Sequence, residues 1–292
     1  MHEAVNLRLL GFACAAALLA LFGCTSATAP SRPTRAEANS PLTPRVTKSA
    51  ALQKLLHDRG AQGVIAILRG EDSQVACSDL ALCQMRVLPA STFKIPNALI
   101  GLETGVIADA DFVIPWDGVT RDFPAWNRDH TLRSAIQVSA VPYFQELARR
   151  VGPEREAEWV RALSYGNADT GSTGVVDRFW LDGPLAISPV EQLDFLRRFA
   201  TGQLPVSARS REIVRDILVL DRHADIVLRG KTGWGHPHQP DQVGWFVGYV
   251  EQQNQRTYVA VLLHGQPDQD DDTFLAMRRK LAERALTELG AW

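Results

Sequence analysis

Strand-forming stretches sit at both ends of this chain, and the long middle between them reads as helix. Near the start, QGVIAILR at 62–69 and residues 73–78 are β-rich and separated by Gly70-Glu71-Asp72, the pattern of a hairpin. Near the end, DIVLRGKT (225–232), VGWFVGYVE (243–251) and TYVAVLLH (257–264) have the same character. Segments 91–104, 143–151, 153–164 and 188–201 instead repeat apolar residues at helical spacing, with Gly, Pro and Asn in the gaps. Amphipathic runs at 49–58 and 273–289 bracket the whole. Strands from both termini bury their apolar faces most simply in one sheet. The expected fold class is therefore α+β: an antiparallel sheet flanked by terminal helices, with an all-helical lobe inserted into it. Ligands favour such a junction between lobes.

Composition narrows the function. Of 292 residues 46% are hydrophobic and 22% charged, and 31 Lys+Arg against 33 Asp+Glu leave a net charge of −2. Such a chain can bury a core and has no polyion character. Nucleic acid is not an expected partner, because phosphate binding calls for a basic surplus or stripe. Seven histidines and four cysteines include no CxxC pair, no HExxH and no cluster with zinc spacing, so no metal is expected. His236 and His238, in GWGHPHQPDQ, flank a proline without an evident third ligand and read as a solvated turn.

The first 24 residues read as an export signal. LLGFACAAALLALFG at 9–23 is free of charge and too short for the ~20 residues of a spanning helix. It ends in Leu21-Phe22-Gly23-Cys24, which resembles a bacterial lipobox with Cys24 as the lipidated residue; cleavage after Ala27-Thr28-Ala29 is the open alternative. Residues 25–48, rich in Pro, Ser, Thr and Ala, read as a flexible tether, and 49–292 as the folded domain. The expected location is the periplasm, with a membrane entering only through lipid on Cys24. Export also implies an oxidising compartment, in which Cys77 and Cys83 are expected to close a short disulfide loop; two buried thiols are the alternative.

Chemistry concentrates in Pro89-Ala90-Ser91-Thr92-Phe93-Lys94. A helix opening at Ser91 puts Lys94 on the same face, three residues on. A serine is a poor nucleophile until a base takes its proton, and a desolvated lysine is one such base. Backbone N–H groups at a helix start can help hold an oxyanion. S-x-x-K alone recurs in unrelated chains, where Ser caps a helix and Lys is solvated. Lys231-Thr232-Gly233 strengthens the reading, because S-x-x-K and K-T-G, together with S-D-N, make up the motif set of penicillin-binding proteins and class A β-lactamases. On a strand facing the serine, a lysine and a threonine can hold a carboxylate, and glycine permits close approach.

The chain resembles the class D (oxacillinase-type) serine β-lactamases over about residues 50–290. The resemblance is carried by PASTFKIPNALIGLETG (89–105), WDG (116–118), WNRDH (126–130), Ser139-Ala140-Val141, Tyr165-Gly166-Asn167, FWLDG (179–183), KTGW (231–234) and GWFVGYVE (244–251). It implies the penicillin-binding-protein fold, β-lactam antibiotics as substrates, and hydrolysis through an acylated Ser91. By the same resemblance Lys94 is the lysine carbamylated by CO₂ (N6-carboxylysine), Ser139 relays a proton, and Trp180 holds the carbamate. Val141, Tyr165, Lys231, Thr232, Gly233, Trp234 and Arg278 would bind substrate, with Arg279 adjacent to Arg278. Backbone N–H groups of Ser91 and Trp234 would form the oxyanion hole, and no cofactor beyond CO₂ or bicarbonate is implied.

A carbamate is physically reasonable here. An amine takes up CO₂ only when neutral, and apolar burial disfavours the ammonium. Phe93, Val141, Trp180 and Leu181 are the expected walls. An S-D-N motif would have placed Asp and Asn at 140 and 141, so class A enzymes fit less well. Inducible β-lactam sensors share part of the motif set but sit behind several membrane spans, and D,D-peptidases lack S-A-V and FWLDG. Substrate range within the β-lactams and assembly as monomer or homodimer stay open at this level.

Overall fold

The computed structural model describes residues 44–70, 74–239, 241–253, 255–266 and 269–292. The apolar run at 9–23, Cys24 and the tether up to residue 43 lie outside the described residues. Among the described residues no helix is long and apolar enough to cross a membrane.

Strand β1 (Arg45–Lys48) opens the domain and helix α1 (Ala50–His57), capped by Ser49, follows it. Strands β2 (Gly63–Arg69) and β3 (Gln74–Cys77) form the expected antiparallel hairpin. Next come α2 (Leu80–Gln84), a 3-10 turn at Ala90–Phe93 and α3 (Lys94–Glu103). A two-stranded ribbon of β4 (Val113–Ile114) and β5 (His130–Thr131) leads into α4 (Leu132–Gln137), α5 (Val141–Val151) and α6 (Pro153–Ala162). Then α7 (Pro189–Thr201) and α8 (Ala208–Ile217) bring the chain back to the sheet. Strands β6 (Val219–His223), β7 (Ile226–Gly235), β8 (Val243–Gln252) and β9 (Gln255–His264) precede the last helix, α9 (Asp271–Glu288).

Seven strands form one sheet in the order β1-β3-β2-β9-β8-β7-β6. The hairpin from the start of the chain meets the end of it along β2 and β9, paired antiparallel from Gly63↔Leu263 to Arg69↔Thr257. Alternation sorts the side chains. Val64, Ala66, Trp245, Val247, Ala260 and Leu262 belong to the core shared with the helices of the middle segment. Ile65, Ile67, Phe246, Val259 and Val261 turn to the other face, where Leu52, Leu55 and Leu56 of α1 and Leu281, Ala282 and Leu286 of α9 cover them. Central strands covered on both faces read as unbroken apolar runs, which is why they are legible in the sequence.

Three expectations need correction. Arg45–Lys48, read as the end of the tether, is an edge strand, and it pairs with β3 in parallel, so the sheet is not wholly antiparallel. The intervening α1 and β2 supply the crossover that parallel neighbours need. The inserted lobe is not all-helical, since β4 and β5 pair within it. Two further elements, the polar edge strand β6 and helix α8, were not expected at all. Both carry many charged residues, and β6 gains its register only from β7.

Cys77, at the end of β3, is disulfide-bonded to Cys83 in α2, with Cα atoms 6.5 Å apart. A loop this short contributes only about 2–3 kcal/mol by the chain-entropy argument. Replacing both cysteines by alanine is expected to lower the unfolding free energy by no more than that. Urea unfolding of the two proteins measures the difference.

Candidate active site

The 3-10 turn Ala90–Phe93 presents Ser91 at the head of α3. Its entry is strained: Ala90 has φ 49°, a left-handed conformation costing a residue with a Cβ about 1–2 kcal/mol. The gain is a close fit to β7. A Cβ placed on Gly233 would lie 3.1 Å from the Pro89 carbonyl oxygen and 3.2 Å from Thr92 Cγ2. Glycine is what lets the KTG strand approach the serine's turn so tightly.

Lys94 is fully buried, and its Nζ donates to Ser91 Oγ at 2.6 Å. The Phe144 ring lies 5.5 Å from the same nitrogen, and the indole of Trp180 stacks on Phe93 with centroids 5.3 Å apart. Burial, seconded by the charge of Lys231, holds the Lys94 amine well below the ordinary lysine range. Trp180 is itself fully buried, and its Nε1–H has no acceptor among the described residues. A buried indole N–H without a partner is costly and unusual.

Ser139 lies between α4 and α5 at φ 55°, in a turn held by Trp126 Nε1 donating to the Val138 carbonyl at 3.0 Å. Lys231 reaches across from β7. Its Nζ donates to Ser139 Oγ at 3.0 Å and to the Thr232 carbonyl at 2.9 Å. Burial, together with the nearby Arg278 charge, brings Lys231 down to about 7. Arg278 comes from α9. Its guanidinium donates to the carbonyls of Leu275 and Gly233, and burial lowers it to about 10. The neighbouring Arg279 turns away, pairing with Glu283 at 2.6 Å and Asp221 at 3.7 Å.

These groups meet at a cleft of about 420 Å³. Ser91, Ser139, Thr232 and Arg278 line it, along with Val141, Gly233 and Trp234. Phe123, Trp126, Leu181 and Leu275 give it an apolar wall, and Phe123 and Trp126 are in ring contact at 4.5 Å. Lys94, Trp180 and Lys231 stand behind this surface as buried groups. Residues from α3, α5, β7 and α9 thus converge on the junction between sheet and helical insertion.

Tyr165 departs from expectation. Read as a substrate-binding residue, it is fully buried, does not line the cleft, and has its hydroxyl within hydrogen-bond reach of Thr92 and Gln192. Its large ring fills core between Phe93 and Phe195. Sequence reasoning also missed Phe144 beside Lys94. Its place in VPYFQ, one turn after Val141, was the available signal. The histidines of the β7–β8 loop engage separate carboxylates, His236 with Asp241 at 2.8 Å and His238 with Asp271 at 2.7 Å.

A serine and a buried lysine at the head of one helix, faced by a K-T-G strand, define a serine acyl-transferase of the penicillin-binding type. Residues 63–284 match the family described as the penicillin binding protein transpeptidase domain. The chain is 38% identical to beta-lactamase OXA-10 of Pseudomonas aeruginosa over 84% of its own length and 91% of that protein's. It is 44% identical to beta-lactamase OXA-48 of Klebsiella pneumoniae over 65% of its length and 71% of that protein's. The crystal structure of a class D β-lactamase, YbXI from Nostoc, superposes with a TM-score of 0.78 at 39% identity, covering 82% of this chain and 99% of that one. The chain belongs to the class D serine β-lactamases.

Proposed function

We propose that this enzyme opens the β-lactam amide by acylating Ser91, with Lys94 carrying CO₂ as a carbamate, and that it thereby confers β-lactam resistance. One observation carries the reading: a fully buried amine whose ammonium form is disfavoured stands 2.6 Å from the candidate nucleophile; a buried indole N–H without a partner among the described residues, on Trp180, supports it. Both features fit a carbamate. Neutrality allows the amine to take up CO₂, and Trp180 Nε1–H supplies a donor to the resulting anion. When present, the carbamate supplies an oxygen base in place of the amine.

The other residues divide the remaining work. Arg278 and Thr232 receive the substrate carboxylate at the open end of the cleft, and the anion favours protonated Lys231 behind them. Backbone N–H groups of Ser91 and Trp234 stabilise the oxyanion as the amide carbonyl becomes tetrahedral. Because Lys231 donates to Ser139 Oγ, the Ser139 hydroxyl proton is free to pass to the leaving lactam nitrogen. Phe123, Trp126 and Leu275 pack against the apolar parts of the antibiotic.

The test is turnover. Purified mature protein should hydrolyse many equivalents of a chromogenic cephalosporin. A single burst followed by a stable adduct would instead indicate a receptor that stays acylated. Trp180→Phe removes one hydrogen bond to a charged acceptor, worth about 1.5–3 kcal/mol. Bicarbonate titration of activity should show a higher requirement in Trp180→Phe than in the wild type, by roughly ten- to a hundredfold.

Localisation is tested at Cys24. If that residue carries lipid, the wild type pellets with membranes and Cys24→Ser shifts to the soluble fraction, since lipid chains supply the anchoring. Equal distribution of the two proteins in the soluble fraction would reject lipidation of Cys24.

A further inference from the structure

Behind the nucleophile lies a buried polar cluster, none of whose residues lines the cleft. Thr92, the residue after Ser91, donates through its hydroxyl to the Pro89 carbonyl at 2.7 Å. That uses its only proton, so its oxygen faces the remaining neighbours as an acceptor. Gln192 Nε2 answers it at 2.9 Å and reaches the Tyr165 hydroxyl at 3.1 Å. The Thr92 and Tyr165 oxygens are 3.3 Å apart. One amide group thus places its two protons on two hydroxyls, and the tyrosine proton is left for Thr92. Gln192 is 1% exposed, Thr92 1% and Tyr165 0%, so all three are shut off from bulk water.

Helix α7, which carries Gln192, is unusually well fixed. Ser188 and Glu191 form a capping box at its start, and Arg86, just past the end of α2, pairs with Glu191. Deeper in, buried Asp194 holds Arg197 and Arg198, each at 2.8 Å. Arg198 then donates to the carbonyls of Leu163 at 2.9 Å and Ser164 at 3.3 Å, the two residues before Tyr165. The same helix therefore grips both ends of the hydroxyl pair. What it braces is the strained turn at Ala90, which has no side-chain cap of its own.

We propose that Gln192, with the Tyr165 hydroxyl, is a positioning residue that acts through Thr92 to hold Ser91 Oγ in line with Lys94 and the Gly233 strand. This rests on the reading of Ser91 as the acylated nucleophile. Without the amide, Thr92 loses a buried partner and the Pro89–Ala90 turn can relax, moving the hydroxyl away from its base. Misplacements of about an ångström cost rates of order a hundredfold.

The experiment measures the single-turnover rate of acylation of Ser91 by a penicillin, per folded molecule, alongside non-covalent affinity and thermal stability. In Gln192→Met, which keeps the size and removes the donors, acylation should fall about 10- to 100-fold. Non-covalent affinity should stay within about threefold of wild type. Tyr165→Phe, which removes one acceptor of the same amide, should slow acylation about three- to tenfold and serves if Gln192→Met does not fold. Leu196→Val, on the same helix and apolar, is the stability control and should leave acylation unchanged. Wild-type acylation in either folded variant, or an equal fall in Leu196→Val, would overturn the proposal. A wild-type protein that formed no adduct would instead overturn the assignment of Ser91.

Discussion

Lys94→Ala is expected to end turnover and leave a slowly formed, long-lived acyl-enzyme on Ser91. Removing a general base typically costs 10²–10⁴-fold, and this base is asked to act twice, on the serine and on the hydrolytic water. Slow acylation can survive because the oxyanion donors, Ser139 and Lys231 remain. Deacylation loses the group proposed to activate water, so the loss should be near the upper end, about 10³–10⁴ in kcat. In the wild type the proposed carbamate should make activity depend on dissolved CO₂. The sign follows from burial: Lys94 titrates below its ordinary value, so the neutral amine persists to lower pH than usual. As pH falls through that lowered value, protonation removes the amine and activity should drop; bicarbonate should restore it above that point. Lys94→Ala should not respond to bicarbonate at any pH. Rate measurements with and without bicarbonate, together with carbon-13 NMR after labelled bicarbonate, check both statements. Full wild-type activity in CO₂-free, mildly acidic buffer with no labelled signal would mean that Lys94 works as a free amine.

Ser91→Ala should abolish the covalent adduct while the protein stays folded. Ser91 Oγ has Lys94 Nζ as its close partner at 2.6 Å, so the substitution removes one hydrogen bond and one small polar atom. A loss of about 1 kcal/mol of stability is the expected scale, with an unpaired amine as its main source. Catalysis has no such fallback, since no other hydroxyl shares a helix face with Lys94. Intact-protein mass spectrometry after exposure to a penicillin should show one added acyl mass on the wild type and none on the mutant. An adduct that persists on Ser91→Ala would place the nucleophile elsewhere, with Ser139 the next hydroxyl in the cleft.

Much of this site is legible in the amino-acid sequence. Ser91 and Lys94 are three apart at the head of one helix, and local geometry alone brings them together. Lys231-Thr232-Gly233 is readable as a strand because β7 lies inside the sheet and its pattern reflects burial on both faces. Adjacent arginines are not separable in the same way. Arg278 and Arg279 lie about 100° apart around α9, and only the packing of α9 on β8 turns the first toward Gly233 and the second toward Glu283. Tyr165 shows the limit more sharply. A tyrosine in a motif beside catalytic residues reads equally as a ligand-facing group or as a structural residue of a turn, and only the packing of α7, which covers it and captures its hydroxyl, separates the two.

What the sequence determined by itself was local or periodic: the S-x-x-K pair, the apolar central strands, the amphipathic helices, and the motif set that marks the family. Tertiary structure alone decided what depends on partners distant in the chain. The edge strands β1 and β6 exist because β3 and β7 offer them hydrogen bonds; their own residues, RVTK and VLDRH, specify little. The Lys94 amine is held below the ordinary lysine range by burial, with the Phe144 ring 5.5 Å from its nitrogen, and a partner about fifty residues away leaves no mark in the spacing of residues around position 94.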